Sequence, residues 1–178
     1  MRKYFAVMVA GAVIVAGLIP ATAAAQEPSR GEVFGGFQWI YDADDGDSIN
    51  MIGAVAEGTG YVNDWFGISG EVGWARDQLF EGVNLSGLSF AGGPRFRFAN
   101  DSIVTPSLRA LVGAWRLELS GFGMSESQTE LATFFGGAVD IRASDRISVR
   151  MQPDFIVLWI DDSTETVFRL AAGVVVGF

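Results

Sequence analysis

The chain is 178 residues long, enough for one domain, and its 21 acidic residues outnumber 12 basic ones for a net charge of −9, a balance that excludes nucleic acid as a partner. It contains neither histidine nor cysteine. That excludes Ser/His/Asp and Cys/His nucleophilic catalysis, zinc sites built on those ligands, and stabilisation by disulfides.

The first element is a targeting segment. Met1, Arg2 and Lys3 precede an apolar run from Phe5 to Ile19, followed by Pro20 and the small residues of "ATAAAQEP". A basic start, an apolar middle and an A-x-A site predict a secretory signal peptide over residues 1–25, cut between Ala25 and Gln26. An uncleaved anchor is the alternative, because Phe5 to Ala25 is nearly long enough to span a bilayer. Cleavage removes Arg2 and Lys3 and leaves 10 basic against 21 acidic residues, a net charge of −11. No later apolar run reaches the roughly eighteen residues of a spanning helix. Residues 26–178 are predicted to form one domain, nearly all strand, since apolar residues recur there at period two.

Strands are predicted over Glu32 to Tyr41 and Ile49 to Tyr61, and the third, Phe66 to Asp77, shows the pattern most clearly. Phe66, Ile68, Gly70, Val72 and Trp74 take one face; Gly67, Ser69, Glu71, Gly73 and Ala75 take the other. In "LSFAGGPRFRF" Leu88, Phe90, Phe96 and Phe98 oppose Ser89, Ala91, Arg95 and Arg97. Ile103 to Trp115 and Glu130 to Ala143 follow. Ile147 to Val157 sets Ile147, Val149, Met151 and Phe155 against Ser148, Arg150, Gln152, Asp154 and Ile156, and Glu165 to Phe178 completes eight strands. Pro94 and Pro153 each delete a ladder donor, which predicts a β-bulge at each.

The connections alternate in length. Longer polar stretches, "DADDGDS", "DQLFEGVNLSG", "LSGFGMSESQ" and the shorter "DDSTE", follow the odd-numbered strands; brief turns, "VND", "ANDS" and "SDR", follow the even ones. Long loops at one end and short turns at the other are the pattern of a transmembrane β-barrel whose short turns are periplasmic. Asp42, Asp44, Asp45 and Asp47 crowd around Gly46 like a calcium loop, but no Glu follows at the twelfth position and no helices flank them. The reading is an acidic, solvated loop, with weak divalent-cation binding as the sharper option and no cofactor implied. Ser120 to Gln128, rich in Gly and Ser, reads as a loop tip.

Charge decides which face meets lipid. Glu32, Glu57, Glu71, Arg95, Arg97, Arg109, Asp140, Arg142, Arg150, Asp154 and Arg169 all fall opposite the apolar faces. A charge on the lipid face costs about 2–4 kcal/mol near the midplane, so these residues are expected to share the lumen as an ion-pair network. An eight-stranded barrel is just wide enough for side chains to fill it, so the network would plug it. The opposite face holds Trp39, Trp74, Phe90, Phe96, Phe98, Phe155 and Phe178, too much bulk for so small a lumen and suited to interfacial girdles.

The order of "NDWFGISGEVGW", "GGPRFRF", "VTPSLRALVGA", "GGAVDIRASDRISVRMQPDF" and a terminal aromatic resembles the small OmpA-like/OmpX-like outer-membrane β-barrel domain family, over essentially the whole of residues 26–178. The resemblance implies an eight-stranded antiparallel barrel in the outer membrane of Gram-negative-type bacteria. It also implies insertion by the outer-membrane assembly machinery, which reads a last strand ending in an aromatic, here Phe178. Full-length OmpA-type proteins append a peptidoglycan-binding domain, and with the sequence stopping at the barrel no cell-wall tether is expected. Enzymes resembling one another among such barrels require a histidine base, so the expected role is non-enzymatic: contact with outer-membrane lipid and a surface ligand of unknown identity through the loops. The alternatives are a secreted soluble barrel binding a small apolar ligand, and a narrow channel.

Overall fold

The computed structural model describes residues 30–44, 47–80, 83–98, 102–121, 124–160 and 163–178. Eight strands follow one another: β1 (Gly31–Asp44), β2 (Asp47–Tyr61), β3 (Phe66–Phe80), β4 (Val83–Arg97), β5 (Val104–Gly121), β6 (Met124–Arg142), β7 (Ile147–Ile160) and β8 (Ser163–Gly177). Each pairs antiparallel with its neighbours in sequence, and β1 closes on β8, so the sheet is a closed barrel. At the seam Glu32 to Tyr41 face Gly177 to Phe168. The backbones of Gly31 and Phe178 exchange two hydrogen bonds of 3.0 and 2.9 Å just beyond it.

Hydrogen-bonded partners starting at Val33 lead sideways through Gly58, Gly70, Gly92, Val112, Thr133 and Val157 to Thr166. One circuit therefore climbs about ten residues along β1, the stagger that closure with steeply tilted strands requires. Outward positions within the belt are apolar or small on every strand: Val33, Phe37, Ile52, Ile68, Val72, Phe90, Leu108, Phe135, Met151 and Val174 are all exposed. The inward positions alternate with them and are buried.

Two expectations fail here. The polar stretches after the odd strands are not long loops. β1 and β2 pair as far as Asp44 opposite Asp47, β3 and β4 as far as Phe80 opposite Val83, β5 and β6 as far as Gly121 opposite Met124, and β7 and β8 as far as Ile160 opposite Ser163. Cross-strand pairing carries the ladders through residues whose composition resembles loop, so Ser120 to Gln128 is largely strand rather than tip. Nor do the prolines make bulges. Pro94 and Pro153 interrupt their ladders, yet Gly92 faces Val112 and Arg95 faces Arg109 in one unbroken register, as do Gly136 with Asp154 and Val139 with Met151. The missing donor weakens a ladder locally without inserting a residue. The register shift lies between Gln78 and Phe80 instead.

Candidate functional site

All eight strands send a charged side chain into the lumen. Four buried arginines, Arg95 on β4, Arg109 on β5, Arg150 on β7 and Arg169 on β8, meet five carboxylates: Glu32 on β1, Glu57 on β2, Glu71 on β3, Asp140 on β6 and Asp154 on β7. Alternation puts them all inside, because each occupies the inward parity of its strand. Arg95 donates through Nη2 to both Glu57 oxygens at 2.6 and 2.9 Å. Arg109 forks onto Asp154 at 3.0 and 2.8 Å, reaches Glu71 at 2.6 Å, and also pairs with Glu57. Arg150 forks onto Asp140 at 2.6 and 2.7 Å and extends to Glu32 at 2.6 Å and Glu57 at 3.2 Å. Arg169 bridges Glu71 at 2.6 Å and Asp154 at 2.7 Å. Glu57 is thus shared by three guanidinium groups. Fork geometry fixes direction as well as charge, so the four guanidinium groups hold the five carboxylates in one ion-paired network and do not leave them as free acids and bases.

Arg97 and Arg142 take other positions. The Arg97 guanidinium lies 3.7 Å from the centre of the Tyr61 ring and donates through Nε to the Asp64 carbonyl at 3.2 Å, at the end of the barrel that carries the chain termini. Arg142 is half-buried at that same end, the last residue of β6, and enters none of the ion pairs among the described residues. Asp42 is half-buried on β1, while Asp45 and the side chains of Asp44 and Asp47 lie outside the described residues. Among the described residues no group of Asp and Glu is placed to hold a metal ion.

Uncharged partners that sequence reasoning passed over complete the network. Ser69 and Ser107 accept from Arg95 at 3.3 and 3.0 Å, Gln152 accepts from it at 3.0 Å, and Gln38 accepts from Arg169 at 3.2 Å. Their inward parity on charged strands was the available signal. More unexpected is the half of the lumen nearer the hairpins, where Ile40, Met51, Leu111, Trp115, Phe134, Ile156 and Leu158 form a buried apolar cluster. Phe134 joins the two tiers, its ring centre 5.1 Å from the Arg169 guanidinium carbon, and Phe34 sits similarly 5.4 Å from that of Arg150. The barrel is therefore filled by ion pairs toward the termini and by hydrocarbon toward the hairpins.

Beyond the closed part, the walls rise unevenly. β2 and β3 part after Ile52 opposite Arg76, β1 and β8 after Tyr41 opposite Phe168, and β6 and β7 after Leu131 opposite Trp159. β3, β4, β5 and β6 stay paired to their hairpin ends, so they stand above the rest as a four-stranded sheet. From Met124 to Glu130 β6 pairs, among the described residues, with β5 alone.

The family model described as outer membrane protein beta-barrel domain matches residues 11–175. Among solved structures, the Neisserial surface protein A is similar with a TM-score of 0.72 at 15% identity, covering 86% of this chain and 100% of that one. The attachment invasion locus protein Ail of Yersinia pestis follows with 0.58 at 19%, covering 84% and 99%. The N-terminal β-barrel domain of Pseudomonas aeruginosa OprF gives 0.56 at 10%, covering 85% and 100%. None of the curated protein sequences matches the chain. The family match places the protein in the outer membrane, which overturns the soluble ligand-binding alternative.

Proposed function

The chain belongs to the outer membrane protein β-barrel domain family, and from that premise we propose that it is a non-enzymatic surface barrel whose hairpin end faces outward and meets an extracellular partner. The raised sheet of β3 to β6 carries this reading. Along Met124 to Glu130 the backbone groups turned away from β5 have no ladder partner among the described residues, which makes this edge a template for an added strand, and proteins ordinarily blunt such edges unless they use them. Glu126, Ser127, Gln128 and Thr129 are exposed along it, so an extended polar segment suits it better than an apolar one. That a relative of similar fold is named for attachment and invasion supports the same reading.

Residues 1–25 act as the export signal in this reading, residues 26–178 are the barrel domain, and Phe178 hands the last strand to the assembly machinery. Catalysis is not part of the reading: with no histidine and with the lumen carboxylates held by guanidinium groups, no base is available for the reactions considered above. A channel is disfavoured by the filling of both lumen tiers. Protease shaving of intact cells tests the topology. Cleavage is expected at the hairpins after β1, β3, β5 and β7; cleavage at the turn of residues 62–65 instead would reverse the orientation and end this reading.

A further inference from the structure

The hairpin end of the barrel is acidic. Segments 42–50, 76–86, 116–130 and 159–166 together hold twelve carboxylates against two basic residues, Arg76 and Arg116. Beyond Lys3 every basic residue of the chain is an arginine, and the remaining arginines lie in the plug or toward the chain termini.

β6 sets part of this charge on one face of its raised portion. Ala132 and Phe134 point into the lumen, and the same parity carries Glu130, Gln128 and Glu126 along the inner face of the raised sheet. Their partners across the ladder on β5 are Trp115, Leu117 and Leu119, which offer no cation. Gln128 donates through Nε2 to Glu130 at 2.6 Å, and neither glutamate enters an ion pair among the described residues. On the outer face Arg116 and Glu118 stand opposite Thr129 and Ser127, and Arg116 donates to the Ser127 hydroxyl at 3.1 Å. The outer face of this stretch is therefore balanced in charge, while the inner face carries two carboxylates without a counter-charge.

A counter-charge has one side from which to come. β7 last meets β6 at Trp159 opposite Leu131 and turns back at Ile160 opposite Ser163, so it does not reach Glu126. A strand laid along Met124 to Glu130 would set its own side chains opposite Glu126, Gln128 and Glu130, two residues apart and all on the inner face. Opposite charges directly across a ladder attract, and like charges repel. A second copy of the same edge fits poorly, because antiparallel pairing about Ser127 brings the glutamates of both copies onto one face.

We propose that the β6 edge binds an extended polypeptide segment with lysine or arginine at alternate positions, those side chains meeting Glu126 and Glu130 while the segment's backbone extends the sheet. This rests on the strand-addition role given to the edge above and names the chemistry of its partner. The carboxylates around the hairpin end attract a cationic segment over a distance and speed its arrival. Register then selects among basic segments, because a run of adjacent cations puts some of them on the balanced outer face.

NMR titration of the isotopically labelled full barrel in detergent micelles tests it, at about 0.1 M salt and with up to millimolar peptide. Three seven-residue peptides are compared: Thr alternating with Lys, Thr alternating with Gln, and the first composition rearranged so that its lysines are adjacent. The alternating Lys peptide is expected to bind about fivefold more tightly than either of the others and to shift and protect the amides of residues 124–130. E126Q/E130Q is expected to lose that preference and keep its heat-modifiable, folded band, since both positions are exposed or half-exposed. Should the variant fail to fold, the peptide comparison on wild type still decides. Equal affinity for the alternating and rearranged Lys peptides overturns the inference and leaves the edge itself standing. Failure of all three peptides to reach residues 124–130 overturns the inference together with the strand-addition role. Protection of those amides that rises with barrel concentration, without peptide, would give the edge to a second copy and overturn the inference as well.

Discussion

Replacing Arg109 with Met removes the side chain on which three carboxylates converge. Arg109 is 3% exposed and serves Asp154 through a fork, Glu71 at 2.6 Å, and Glu57. Without it Asp154 and Glu71 both depend on Arg169, and Glu57 on Arg95 and Arg150. Breaking a buried pair by deleting one partner costs about 3–5 kcal/mol, because the other partner stays desolvated and uncompensated. Against a total stability of about 5–15 kcal/mol this is a shift of roughly a hundred- to a few thousand-fold in the folding constant. Glu57→Gln should carry a cost of the same sign. The double variant R109M/E57Q removes one charge of each sign from contact, so its cost is expected to fall short of the sum by more than about 1 kcal/mol. Urea titration of the barrel in phospholipid vesicles, read by the emission of its five tryptophans, measures all three. A change of less than about 0.5 kcal/mol for Arg109→Met, or strict additivity in the double variant, would refute the plug as a coupled unit.

Glycine positions separate by what surrounds them. An added Cβ at Gly113 would overlap the Phe90 carbonyl oxygen, so Gly113→Ala should destabilise by about 1–3 kcal/mol in the same titration, whereas Gly58→Ala, which meets open space, should stay within about 0.5 kcal/mol. Deleting Phe178 removes the backbone partner of Gly31 at the seam and the ring lying over it; the heat-modifiable, membrane-inserted fraction in cells should fall, and an unchanged fraction would count against an assembly role for this residue. Planar-bilayer conductance of wild-type barrel should be negligible, and steady single-channel openings would contradict a lumen closed by both tiers. Substituting Glu126 and Glu130 by Lys should leave folding unchanged within about 0.5 kcal/mol, as exposed or half-exposed polar positions allow, while changing capture of any partner that adds to the β6 edge.

How much of this could be read from the residues depends on contrast between faces. Where a strand sets charge against hydrocarbon, as in Arg150, Gln152 and Asp154 against Met151 and Phe155, period two alone places each side chain. Where both faces are apolar the period disappears. "TFFGG" puts Phe134 in the lumen and Phe135 in the belt with nothing in composition to tell them apart, and in "IVLW" Leu158 points inward and Trp159 outward just past the strand predicted to end at Val157. The apolar tier was invisible for that reason. The hairpins were misjudged for another: Gly, Ser and Asp signal turns locally, but a neighbouring strand that continues can hold them in a ladder. Arg97 and Arg142 share parity with the plug and differ only in height, which alternation does not encode.

Three bonds of the plug join residues far apart in the chain: Arg150 with Glu32 across 118 positions, Arg169 with Gln38 across 131, and Arg169 with Glu71 across 98. Those donors and acceptors come together only once β8 has met β1, so this part of the network is complete only in the closed barrel. Interactions that appear late are absent from the transition state for folding, and their loss shows in the rate of unfolding instead. The charges in the lumen act on this view as a lock on the finished barrel: weakening them should leave insertion at its usual pace and shorten the lifetime of what has been inserted.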